Sequence, residues 1–79
     1  MPVHIELSVL LRRYVPGYDE QKGILLANGE GKTVQQLIKE LGIPPERVYT
    51  IMTNHYPGER DYVAKDGDHI LLAMIIGAG

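Results

Sequence analysis

The last three residues of this sequence, Gly77-Ala78-Gly79, are its best candidates for chemistry, and that chemistry belongs to the main chain. A carboxylate is a poor electrophile until one of its oxygens becomes a good leaving group, as in an acyl-adenylate. An enzyme performing that step must admit the chain end into a narrow site. Glycine lacks a Cβ and permits close backbone approach, so Gly77 and Gly79 suit a threading segment. Side-chain chemistry is sparse. There is no cysteine, which excludes a disulfide framework, a thiol nucleophile and a thiolate metal site. His4, His55 and His69 fall on a predicted strand, in a loop and near a turn, with no common spacing. A zinc site needs three or four converging ligands, so these histidines are read as unrelated and no metal is expected. No nucleophile–base or carboxylate pair stands out, and so short a chain has little room for a pocket. An enzyme is not expected.

The elements that would position the tail follow from patterning. Val3, Ile5, Leu7 and Val9 alternate with polar residues, the period of a half-buried strand. Leu10 to Val15 reads as a short helical turn ended by Pro16-Gly17. Ile24-Leu25-Leu26-Ala27 is a second strand, followed by an Asn28–Gly31 turn. Thr33-Val34-Gln35-Gln36 is a capping box. Val34, Leu37, Ile38 and Leu41 then form one apolar stripe, predicting a helix from Val34 to Leu41 stopped by Gly42 and Pro44-Pro45. Val48–Thr53 reads as a third strand, Asn54–Arg60 as a loop, and Asp61–Ala64 as a short edge strand. The Glu59-Arg60-Asp61 charge run is taken as loop solvation. After a turn at Lys65–Asp68, the continuous apolar run from His69 to Ile76 predicts a central strand covered on both faces. It pairs in parallel with the first strand. With Ile70 and Leu72 facing the helix, Leu71 and Ala73 face outward and the stretch from Met74 is partly bare. Exposed contiguous apolar surface marks a docking site, so Leu71, Ala73 and Met74 are its candidates.

The expected fold class is therefore α+β: a mixed sheet of four or five strands wrapped around one main helix, the β-grasp (ubiquitin-like) plan. Residues 1–79 are expected to form one domain, with a core of Leu, Ile, Val and Met because Phe and Trp are absent. The N-terminus shows no basic start followed by an apolar run, so no secretory signal is expected. No apolar stretch approaches the roughly 18 residues of a membrane span. A cytoplasmic location is the expectation, with no membrane partner. Eight basic against ten acidic residues give a net charge of −2. Without a basic stripe, no nucleic-acid partner is expected.

Several segments resemble one family. Val3-x-Ile5-x-Leu7 followed by Leu11-Arg12-Arg13-Tyr14 resembles the opening of the molybdopterin-synthase small subunit and its thiamine-pathway relatives, the MoaD/ThiS-type sulfur carriers. Gly31–Ile38 resembles their helix start, Leu41-Gly42-Ile43-Pro44 their helix end, and Asp61–Asp68 the approach to their final strand. The resemblance implies a carrier that binds no cofactor. A ubiquitin-activating-like adenylyltransferase uses ATP to adenylate the C-terminal glycine, here Gly79. A donor converts the adenylate to a thiocarboxylate, and the sulfur passes to a cofactor precursor. The implied partners are that adenylyltransferase and the large subunit of molybdopterin synthase, or thiazole synthase. In the family Arg12 and Arg13 would lie near partner surfaces. The family usually ends Gly-Gly, whereas this chain has Gly77-Ala78-Gly79. It often has Asn-Gly where this chain has Asn54-His55. Ala78 supports an alternative expectation: a non-conjugating β-grasp interaction module.

Overall fold

The computed structural model describes residues 1–74; Ile75, Ile76 and the three tail residues Gly77, Ala78 and Gly79 lie outside the described residues. Strand β1 (Val3–Leu7) buries Val3, Ile5 and Leu7 and turns His4 and Glu6 to the other face. It ends two residues before the alternation does. The Leu11 amide donates to the Ser8 carbonyl at 3.0 Å and Arg12 Nε donates to the Leu7 carbonyl at 3.0 Å. These bonds turn the chain into a 3-10 helix over Val9–Tyr14 and leave Val9 71% exposed. Strand β2 (Ile24–Leu26) then pairs antiparallel with β1.

Helix α1 (Val34–Glu40) begins where the capping box places it. The Gln36 amide donates to Thr33 Oγ1 at 3.1 Å, and Gln36 Oε1 accepts from the Thr33 amide at 2.8 Å. Its end is a Schellman motif around Gly42, at φ +80°: Ile43 N–H reaches the Ile38 carbonyl and Gly42 N–H the Lys39 carbonyl. Leu41 is the C-cap residue and packs half-buried on the core.

After a 3-10 turn at Pro45–Arg47, strand β3 (Thr50–Thr53) begins two residues later than expected, with Val48 already fully buried. Asn54 and His55 turn the chain into β4 (Tyr56–Pro57), inside the expected loop. The edge strand expected at Asp61–Ala64 does not form. That segment instead runs beside the helix start, where the Tyr62 and Arg60 carbonyls accept from the Val34 and Gln35 amides, both at 2.9 Å. First-turn amides lack partners within a helix, and here main chain supplies them.

Strand β5 (His69–Ala73) lies at the centre of the order β2-β1-β5-β3-β4, parallel to β1 and antiparallel to β3. The helix covers one face only. Ile70 and Leu72 are buried with Val34, Leu37, Ile38, Ile5 and Leu7, while His69, Leu71 and Ala73 are half-buried on the opposite face. The expectation of a doubly covered strand is therefore corrected. Its apolar continuity serves a core on one side and a bare surface on the other. The fold is a β-grasp. Among the described residues no helix is long and apolar enough to cross a membrane.

The β3–β4 turn holds positive φ at two non-glycine residues, Asn54 at 51° and His55 at 73°. A two-residue hairpin loop with positive φ at both positions favours Asn-Gly. Asn54 is held by its surroundings: Oδ1 accepts from the His69 amide and Nδ2 donates to Asp68 Oδ1, both at 2.9 Å. His55 makes no comparable bonds among the described residues. His55→Gly is expected to stabilise the fold by about 0.5–1 kcal/mol, the relief of left-handed strain less the added unfolded-chain entropy. Urea denaturation with an unchanged m-value would show it.

Candidate docking face beside the tail

The strand that precedes the tail in sequence, β5, is paired on both sides. At its end, the Tyr49 amide donates to the Ala73 carbonyl at 3.0 Å, and the Met74 amide donates to Ser8 Oγ at 3.2 Å. The Ser8 amide in turn donates to the Leu72 carbonyl at 2.9 Å. Ser8 thus ties the exit of β5 to the end of β1.

On the outer face, the register sets Leu71 between Glu6 of β1 and Met52 of β3, and Ala73 beside Thr50. Two shallow depressions meet at Leu71. One, of about 350 Å³, is lined by Glu6, Met52, His55, His69 and Leu71. The other, of about 330 Å³, runs past Ser8, Val9, Leu10 and Arg12 to Met74. The structure therefore places Leu71 and Met74 around one depression, with Ala73 on the same sheet face as Leu71. Met74 also packs partly against the core.

Val9 and Leu10, 71% and 38% exposed, line this depression and were not singled out by sequence reasoning. The alternation assigns Val9 inward. Only the early strand end, set by Arg12 and Ser8, reverses it. Arg12 itself is held within the fold: its Nε serves Leu7, its guanidinium lies 5.1 Å from the Tyr18 ring centroid, and Nη1 is 3.7 Å from Glu20. Arg13 is exposed over the Tyr14 ring.

The histidines are not scattered. Parallel pairing puts His4 beside His69, with ring centroids 4.7 Å apart. The β3–β4 turn brings His55 to 5.6 Å from His69. His4 Nε2 lies 2.7 Å from the Lys22 carbonyl and His69 Nε2 3.1 Å from Glu6 Oε1. Each outer ring nitrogen so engaged is turned to a protein oxygen. Among the described residues no three such side chains are placed to hold a metal ion.

No protein-family model matches the sequence, and a comparison with curated proteins finds no match. Among solved structures, the solution structure of Urm1 from Trypanosoma brucei superposes with a TM-score of 0.71, over 99% of this chain and 95% of that one. The fold is Urm1-like. At 15% identity the likeness is one of architecture, and it extends over both the sheet that carries the candidate docking face and the helix behind it. In this Urm1-like frame the histidines, Glu6, Leu71 and the groove beside Met74 all fall on the uncovered sheet face.

Proposed function

We propose that this chain is a ubiquitin-like sulfur carrier, with Gly79 as the residue that is activated. The reading requires Gly79 to bear a free α-carboxylate. One carboxylate oxygen attacks the α-phosphorus of ATP in the site of a ubiquitin-activating-like adenylyltransferase, and pyrophosphate leaves. A sulfur nucleophile then attacks the acyl carbon and AMP leaves, so that the glycine ends as a thiocarboxylate. Molybdopterin or tungstopterin synthesis is the first candidate for the recipient pathway and thiamine synthesis the second. The corresponding acceptors are the large subunit of molybdopterin synthase and thiazole synthase. The chain holds no cofactor of its own in this scheme; ATP is bound by the partner.

The observation that carries the reading is the placement of β5. The central strand of a β-grasp sheet ends at Ala73, pinned by Tyr49 and Ser8, six residues before Gly79. Leu71, Ala73 and Met74 stand beside that exit as the surface a partner covers, and Gly77 and Ala78 are the segment threaded into its site. The fold likeness and the family resemblance of the sequence support the same reading.

The test is intact-mass spectrometry after incubation with a candidate adenylyltransferase, ATP and a sulfur donor. A mass gain equal to exchanging one oxygen for sulfur is expected. An unchanged mass with several cognate candidates would favour the second reading, a non-conjugating interaction module, which rests on Ala78 between the glycines. On the carrier reading, Ala78→Gly is expected to raise the activation rate about tenfold, since crowding one methyl in a close-fitting site costs ~1–3 kcal/mol. Single-turnover adenylation measures it, and equal rates would show that the tunnel accommodates the methyl.

A further inference from the structure

A cleft of about 420 Å³ opens at the end of the sheet where β5 begins, walled by Tyr56 and Tyr62 and flanked by Glu59 and Asp61. About 13 Å of strand separates this end of β5 from the exit at Ala73. The lining contains no basic side chain. Among the described residues no cation lies within ion-pair distance of Glu59 or Asp61. The one cation between them in sequence is committed elsewhere: Arg60 Nη1 donates to Gln35 Oε1 at 3.1 Å and Nη2 donates to the Val48 carbonyl. The fold thus removes the natural counter-charge and leaves two carboxylates beside two phenol rings.

Further observations describe the lining of this cleft. Thr53 Oγ1, on the same lining, is buried and finds no hydrogen-bond partner among the described residues. Gly58 packs over that hydroxyl so closely that a Cβ there would come to 2.5 Å of it. Tyr56 is 73% exposed on a two-residue edge strand, a position where nothing in the core requires an aromatic ring. Tyr62 is fixed instead, its hydroxyl donating to Asp68 Oδ2 at 2.7 Å.

We propose that this cleft is a recognition site for an arginine side chain presented by a partner protein. A guanidinium is planar, stacks on aromatic faces and donates in a fork to carboxylates, whereas an ammonium offers only a strongly hydrated point charge. The cleft is lined by two phenol rings and two carboxylates that have no cationic partner among the described residues, and the net charge of −2 favours a cationic partner. The site is independent of whether Gly79 is activated, because its residues lie at the opposite end of β5 from the tail.

The experiment is an amide NMR titration of the full chain with N-acetyl-arginine amide and, separately, with the neutral isostere N-acetyl-citrulline amide. The arginine probe is expected to shift amides within residues 53–62, with a Kd of about 1–10 mM. Citrulline is expected to bind at least about tenfold more weakly. The double variant Glu59→Gln/Asp61→Asn, altering exposed side chains only, should weaken the arginine probe about tenfold, and Tyr56→Ala should weaken it severalfold while the remaining spectrum stays native. Equal binding of the two probes, shifts centred outside the cleft, or binding unchanged in the double variant would each overturn the proposal.

Discussion

Deleting Gly79 is expected to abolish thiocarboxylate formation while leaving the melting temperature within about 2–3 °C of the full chain. The two halves of this result have separate causes. Among the described residues the buried apolar ones lie between Val3 and Leu72, and the sheet pair furthest along β5 joins Thr50 to Ala73. The core and sheet pairs of the described residues are thus built without Gly79. Activation depends instead on where the carboxyl carbon reaches. Removing one residue shortens an extended chain by about 3.3–3.6 Å and transfers the carboxylate to Ala78, with a Cβ beside the reacting carbon. A misplacement of even 1 Å can lower a positioned reaction by about a hundredfold, so a loss beyond detection is expected. Intact mass after incubation with the adenylyltransferase, ATP and sulfur donor reads the chemistry, and circular dichroism reads the fold. Modification of the shortened chain at the full rate would place the acceptor elsewhere. A large fall in melting temperature would make the tail structural.

Much of the fold can be read in the sequence because its strongest signals are local. The capping box at Thr33, the stripe through Val34, Leu37 and Ile38, and Gly42 with its positive φ each act within one or two helical turns. The parallel pairing of first and last strands follows from a topological constraint, that an apolar terminal run must find a central place. The features missed depend on contacts distant in sequence. Nothing near Asp61–Ala64 reveals that its carbonyls will serve the first turn of α1 rather than a neighbouring strand. Nothing near Val9 reveals that Arg12 will cap Leu7 and turn Val9 outward. The histidine cluster is the clearest case. His4 and His69 are 65 residues apart and meet only through the register of β1 and β5, while His55 joins them only because the Asn54–His55 turn places it there. Of the candidate site, Leu71, Ala73 and Met74 are legible from alternation in β5. The Ser8 contact that fixes the exit is not.

Asp68→Asn is expected to destabilise the fold by about 2–4 kcal/mol, lowering the melting temperature by at least about 10 °C. Asp68 is 7% exposed and the only buried charged residue among the described residues. Its Oδ1 accepts from Asn54 Nδ2 at 2.9 Å, and its Oδ2 accepts from the Tyr62 hydroxyl at 2.7 Å and the Lys65 amide at 2.9 Å. Three separate segments are joined through one carboxylate: the β3–β4 turn, the strap beside the helix and the turn into β5. An asparagine amide can keep its oxygen toward Tyr62 and Lys65 only by turning its NH2 toward that of Asn54. Asn54 cannot flip to accept it, because its own oxygen already accepts from the His69 amide. One donor to this carboxylate therefore loses its partner whichever way the side chain is set. Burial by itself pushes the Asp68 carboxyl upward, but the hydrogen bonds from Asn54, Lys65 and Tyr62 and the nearby Lys65 charge outweigh it and hold the group below its ordinary value. The bond from Tyr62 correspondingly holds that phenol above its ordinary value. A carboxyl depressed in the folded state contributes stability that is fully present above its unfolded value of about 3.9 and is lost as pH falls through the lower folded value. The wild-type chain should accordingly lose stability below about pH 4, and the Asp68→Asn chain, already weakened at neutral pH, should lose less over the same interval. Thermal melts of both chains from neutral pH to acid measure the difference. Parallel curves would mean that Asp68 does not anchor these three segments through its charge.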